Sequence, residues 1–176
     1  DKEQIEQLKK WFKDYGLSIF LALILGLGLG MAWRWYEGYQ QDQIVATGVQ
    51  YSDVQLAYFQ LEGATKTERR KLEEEFQARA SRFVRDHSNT TYSDFTNLLL
   101  AKVAVNEKKY DLAIRYLSKV YTNDKAVSSV KQVAKIRAAR LLREQKKTKE
   151  ALALLNDKSD TSGAFNSMIE QLKSTL

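Results

Sequence analysis

Residues 100–117 read LAKVAVNEKKYDLAIRYL, and residues 138–155 read AARLLREQKKTKEALALL, the same pattern thirty-eight residues on. Ala101 falls opposite Ala139, Ala113 opposite Ala151 and Leu117 opposite Leu155. Small residues recur where paired helices cross closely, and larger apolar residues recur where the crossing opens. The string NEKKYD interrupts the first pass, so that pass reads as helix, turn, helix. Composition agrees. The 176 residues include no proline, where average usage of about 5% would give roughly nine. Proline breaks helix interiors, so its absence fits a chain that is helical nearly throughout. The fold class expected is all-α.

A unit of this kind resembles a tetratricopeptide repeat, a helix–turn–helix of about 34 residues whose apolar face is covered by its neighbour. Tyr110, Ala113 and Leu117 stand at second-helix positions similar to the aromatic, alanine and large-apolar signature of that repeat. The departures are no tryptophan in the first helix, no glycine at the turn and no terminal proline. The longer period implies a longer connection near Thr122 to Ser128. These are degenerate repeats. Asp157 to Gly163 is a further break, and Ala164 to Leu176 reads as the first helix of another repeat. Solenoid ends need a polar cap, so a continuation of the chain or a partner is expected to cover that end.

Upstream, Gln50 to Leu61 carries Val54, Tyr58 and Leu61 at helical spacing, with Leu56 and Phe59 widening the apolar face. Gly63 ends this helix. Thr65-x-x-Glu68 has the form of a capping box, in which hydroxyl and carboxylate each take a free backbone N–H. The helix it opens presents Leu72, Phe76, Ala80, Phe83 and Val84 as a stripe, with the charges of Arg69 to Glu75 on its solvated side. His87 lies in a polar loop, as a surface or capping residue. The next helix starts near Thr91 or Ser93 and is expected to bury Phe95, Leu98, Leu99, Ala101, Val103 and Val105; Leu112, Ala113, Tyr116, Leu117 and Val120 form the following face.

The mean hydropathy of −0.46 averages two different solvents. Residues 15–33, YGLSIFLALILGLGLGMAW, carry no charge. As a helix they span roughly 28 Å, close to the ~30 Å of a bilayer's hydrocarbon core. Trp11 and Tyr15 stand at one end and Trp33, Trp35 and Tyr36 at the other, where rings favour the headgroup level. A cleaved signal peptide has a shorter apolar run than this, so an uncleaved transmembrane helix is expected over 15–36. Lys2, Lys9, Lys10 and Lys13 precede it and only Arg34 follows closely. The positive-inside rule puts 1–14 in the cytoplasm and the remainder in the periplasm of a bacterial inner membrane. Residues 37–63 then form a stalk and first soluble helix, and 64–176 the repeat domain. Ala22, Gly26 and Gly30 share one face, where small residues let another helix approach closely. Glycine is also simply common in membrane helices, and the sequence leaves both readings open.

Residue types exclude most chemistry. There is no cysteine and one histidine, which removes disulfides, thiol nucleophiles and a histidine-rich metal site. No GxSxG, Walker or HExxH motif occurs, and Glu73, Glu74 and Glu75 fan around a helix instead of converging. No enzyme activity, cofactor or metal is expected. The net charge of +6 suits anionic lipid or an acidic partner, while mixed signs along most helices suit an ordinary solvated surface. The orientation argues against nucleic acid.

Three stretches carry a family likeness: QIEQLKKWFKDYG (4–16) before the anchor, GLGMAWRWYEGYQQDQ (28–43) after it, and YSDFTNLLLAKVAVNEKKYDLAIRYL (92–117). Together they resemble the YfgM family of inner-membrane proteins, ancillary subunits of the SecYEG translocon, and the likeness spans essentially the whole chain. The resemblance implies a single-span protein with a periplasmic tetratricopeptide-like domain. Its implied partners are the translocon, the membrane-anchored periplasmic chaperone PpiD, emerging secretory polypeptides and inner-membrane lipid. It brings no catalytic residues. It also implies a further helical hairpin beyond Leu176, so the chain reads as C-terminally incomplete. An envelope-assembly or secretion-system adaptor would present the same anchor and repeats.

Overall fold

The computed structural model describes residues 24–34, 36, 45–157, 163 and 165–175. The chain divides into two units, Asp1–Ala46 and Thr47–Leu176. In the first, residues 24–34 are helical, and their large apolar side chains are exposed, from Ile24 at 51% to Met31 at 76%. Trp11, Tyr15, Ala22 and Trp35, with most of the span expected over 15–36, lie outside the described residues. Among the described residues, no helix is long and apolar enough to cross a membrane.

From residue 45 onward the chain is a run of helices: α1 (residues 45–62, all but its first two residues in the second unit), α2 (Arg69–Asp86), α3 (Thr91–Asn106), α4 (Tyr110–Tyr121), α5 (Ser128–Glu144), α6 (Thr148–Asn156) and α7 (Asn166–Ser174). Every described element is a helix or a turn between helices. Each helix packs chiefly on its neighbours in sequence, which produces three successive cores. Val54, Tyr58 and Leu61 of α1 meet Phe76, Ala80 and Phe83 of α2 and Leu100 and Val103 of α3. Ala101 and Ala104 of α3 meet Ala113, Leu117 and Val120 of α4 and Ala134 and Ala138 of α5. Ile136, Ala139 and Leu142 of α5 meet Ala151 and Leu155 of α6 and Leu172 of α7. α3 and α5 therefore each serve two cores, from adjacent faces of one helix.

The turns inside α3/α4 and α5/α6 have the same construction. Lys108 N–H donates to the Val105 carbonyl (2.9 Å) and Lys109 N–H to the Ala104 carbonyl (2.8 Å). Thirty-eight residues on, Lys146 N–H donates to Arg143 (2.8 Å) and Lys147 N–H to Leu142 (2.9 Å). This paired arrangement is a Schellman ending, which satisfies carbonyls the helix leaves free. Its left-handed residue is a lysine at φ 61° both times, where such endings usually have glycine.

Three sequence expectations change. Thr65 and Glu68 do not form the capping box. The Thr65 hydroxyl donates to the Glu68 carboxylate (2.6 Å), and α2 begins only at Arg69 with no side-chain cap. The two groups that would have capped the backbone satisfy each other instead. Leu56 and Phe59 are exposed, at 55% and 65%, because neither projects from the side of α1 that turns Val54, Tyr58 and Leu61 into the core. Phe95 is exposed at 37%, while its neighbours Asp94, Thr96 and Asn97 are buried. The α3 face turned inward at that level is polar and is largely hydrogen-bonded internally, although the Asn97 side-chain oxygen is buried without a partner. Asp94 accepts from the Asn123 amide (3.0 Å), Thr96 donates to the Tyr92 carbonyl (2.8 Å), and Asn97 donates to the Ser93 carbonyl (3.1 Å).

Candidate functional site

α3 and α5 are the first helices of consecutive hairpins, and a groove with a cavity of about 270 Å³ runs between them. Leu98, Ala101 and Val105 line it from α3, Leu117 from α4, and Leu141 from α5. Lys102, Arg137 and Arg140 complete its wall, and all three are exposed. The spacing explains the arrangement. Leu98, Lys102 and Val105 are four and three residues apart and share one side of α3; Arg137, Arg140 and Leu141 do the same on α5.

Lys102 lies 5.1 Å above the Tyr58 ring and 3.8 Å from the Glu62 carboxylate. The Tyr58 hydroxyl beside it holds its pKa above the ordinary lysine value, so it stays cationic at neutral pH. The groove is thus an apolar floor beneath a basic rim. A larger cleft of about 370 Å³ lies between α1 and α2, but it combines Arg79 and Arg82 with Asp53 and Asp86, so its charges offset.

The residues singled out from sequence divide as follows. Ala101, Ala113, Leu117, Ala139, Ala151 and Leu155 are buried, and Tyr110 is half-buried at the start of α4. Trp33 and Tyr36 are exposed, and an added Cβ at Gly26 or Gly30 would meet open space. His87 caps the end of α2, with its ring 4.7 Å from Phe83 and Nε2 2.6 Å from the Gln50 side-chain oxygen. Among the described residues, no cluster of three His, Asp or Glu side chains could hold a metal ion. The groove's rim is the part that sequence reasoning does not reach, because a small register error moves every side chain around its helix. One signal was available: Lys102 and Arg140 are equivalent positions of the repeat.

Two hairpins with equivalent turns, stacked through alanine-lined crossings, are the architecture of a helical repeat, and the family model described as tetratricopeptide repeat-like domain matches residues 9–175. The chain belongs to that family. Its tetratricopeptide repeat-like sequence is 30% identical over 132 residues to a Haemophilus influenzae protein named ancillary SecYEG translocon subunit. That match covers 74% of this chain and 59% of the relative, so the chain spans less than two thirds of the relative's length. No solved structure matches the chain.

Proposed function

We propose that this protein is a non-enzymatic, membrane-anchored scaffold of the Sec translocon. Residues 15–36 form its single transmembrane helix, residues 1–14 are cytoplasmic, and the repeats face the periplasm of the inner membrane. The repeat surface receives polypeptide partners: the anchored chaperone PpiD, emerging secretory proteins, or both. The observation that carries this reading is the likeness to a named translocon subunit over 132 residues, 74% of the chain. Further support comes from the stacked hairpins, which offer an extended surface, and from the apolar, charge-free run at 15–33.

The mechanism is effective concentration. A tether holds a weakly binding surface beside the site where its partner emerges, which raises apparent affinity without new contacts. In the membrane, Ala22, Gly26 and Gly30 form the face that approaches a translocon helix. The test is photocrosslinking in intact cells from positions 22, 26 and 30 of the full chain. Adducts with translocon subunits are expected. Adducts confined to lipid or to other envelope machinery would overturn the reading in favour of an assembly adaptor.

A further inference from the structure

We infer that the outer face of α1 pairs with α1 of a second copy of this chain, as a short, parallel, in-register coiled coil. This goes beyond the scaffold reading and does not depend on it, because the pairing surface lies within one helix of the second unit.

Spacing defines the face. Val45, Val49, Ser52, Leu56 and Phe59 follow one another at intervals of four, three, four and three residues. That is the a/d alternation of a heptad, the pattern that keeps an apolar seam facing a second helix along its length. Val49 to Phe59 of this series occupy an arc of about 80° on α1, centred opposite Val54. Val49, Leu56 and Phe59 are the three most exposed large apolar side chains among the described residues of the second unit. Single apolar residues on a surface are ordinary, whereas a continuous stripe marks an interaction face. Val54, Tyr58 and Leu61 hold the other side of α1 in the first core. The helix is therefore formed before a partner arrives, and pairing orders little further chain.

Seam and flanks together decide the occupant. Val49 and Leu56 take a positions, and Ser52 and Phe59 take d positions. In a parallel pair of identical helices each layer meets itself, so the spacing matches by symmetry. The Ser52 layer adds no orphaned donor, because that hydroxyl donates to the Gly48 carbonyl of its own helix (3.1 Å). At the flanking e and g positions, Asp53 faces Gly48 of the other copy and Gln55 faces Gln60, so no like charges are opposed. Reversing one helix would set Asp53 against its own counterpart. Glu62 is paired with Lys102 inside the chain (3.8 Å), so a cationic partner helix would find little to bind. Lipid is a poor occupant too. Residues 45–62 contain no lysine or arginine, the residues that flank the apolar face of a helix lying on a membrane. At about 27 Å, α1 is a short seam, so the association expected is weak and reversible. Confinement of both copies to one membrane would raise their effective concentration.

The chain has no cysteine, so single cysteines report the pairing directly. The full chain in neutral detergent is mildly oxidised as Ser52→Cys, as Leu56→Cys and, at an exposed position off the seam, as Gln50→Cys. The two seam variants are expected to give at least about tenfold more disulfide-linked dimer than Gln50→Cys, since a disulfide forms only between closely apposed residues. Sedimentation velocity of the unsubstituted chain should show a monomer–dimer equilibrium. Val49→Glu with Leu56→Glu should raise its Kd about tenfold or more, by placing charges in an apolar seam. Both positions are exposed, so the thermal midpoint of the monomer should not change. Ser52→Leu, which fills a d layer, should tighten the dimer. A chain that stays monomeric at every concentration overturns the inference, as does a dimer indifferent to these substitutions or equal crosslinking from Gln50→Cys. Mixed disulfides between Ser52→Cys and Leu56→Cys chains in excess of either homodimer would mean an antiparallel pair and overturn the arrangement. Without a dimer, glutamate-sensitive binding to phosphatidylglycerol vesicles would assign the face to lipid. Photocrosslinks from position 56 to a different protein in intact cells would assign it to a foreign helix. Either result discards the pairing.

Discussion

At φ 61°, Lys108 and Lys146 occupy backbone conformations that glycine adopts freely. For other residues the left-handed region costs roughly 1–2 kcal/mol, because Cβ crowds the following carbonyl. Glycine restores some of that cost to the unfolded chain as entropy. Lys108→Gly and Lys146→Gly should therefore each stabilise the fold by about 0.5–1 kcal/mol, read as a higher urea midpoint. Unchanged or lower midpoints would mean the lysine side chains contribute more than the strain costs.

Asp94 is the second informative residue. Burial pushes its carboxyl above the usual aspartate range, against the opposing effects of the Asn123 hydrogen bond and the Lys131 charge. A folded pKa above the unfolded one means that the folded state takes up the proton first as pH falls. Stability from this group therefore rises on acidification from its raised pKa down to the ordinary aspartate value, and is lower above that window. Asp94→Asn keeps a polar side chain of the same shape and should flatten this component. The check is urea denaturation of both proteins between neutral pH and the carboxylate range; parallel pH profiles would refute the assignment.

At the scale of elements, α1 separates what composition implies from what packing uses. It is apolar on two sides. Val54, Tyr58 and Leu61 enter the first core, while Val49, Leu56 and Phe59 remain exposed. Helical geometry places Leu56 about 200° around the axis from Val54, so one neighbouring pair of helices cannot cover both. Substituting Leu56→Ser and Phe59→Ser together should cost less than about 1 kcal/mol. Phe76→Ala, which empties a fully buried site, should cost about 3–5 kcal/mol. Comparable losses in urea denaturation would reverse this assignment of faces.

Buried polar residues also work at this scale. Asp94 of α3 holds Asn123, just beyond α4. Lys135 of α5 holds Asp157, just beyond α6 (2.9 Å). Each first helix thus pins the segment that leaves its own hairpin. The positions of Asp94 and Gln132, and of Asn97 and Lys135, coincide under the thirty-eight-residue shift and all four are buried. A polar residue inside a repeat core is tolerated only where it is hydrogen-bonded or paired.

Across the second unit as a whole, neighbour-on-neighbour packing makes the repeats quasi-one-dimensional, with the groove where successive first helices diverge. The hairpins were legible beforehand because amphipathic period and alanine spacing are local properties, written within one turn of a helix or between repeats. The turns near residues 107–109 and 145–147 were legible too, as polar interruptions, though not their left-handed lysines. What the sequence by itself determined was helix content, hairpin order, the repeat period and the small residues at the crossings. Only the tertiary structure decided which of α1's two apolar faces is covered, that Thr65 and Glu68 bond to each other, and that Phe95 faces out while Asp94 and Asn97 face in. It alone brought Lys102, Arg137 and Arg140 around one apolar floor. The physical reason is the same in each case: a side chain's fate depends on which neighbour desolvates it, and that neighbour is chosen by packing between helices.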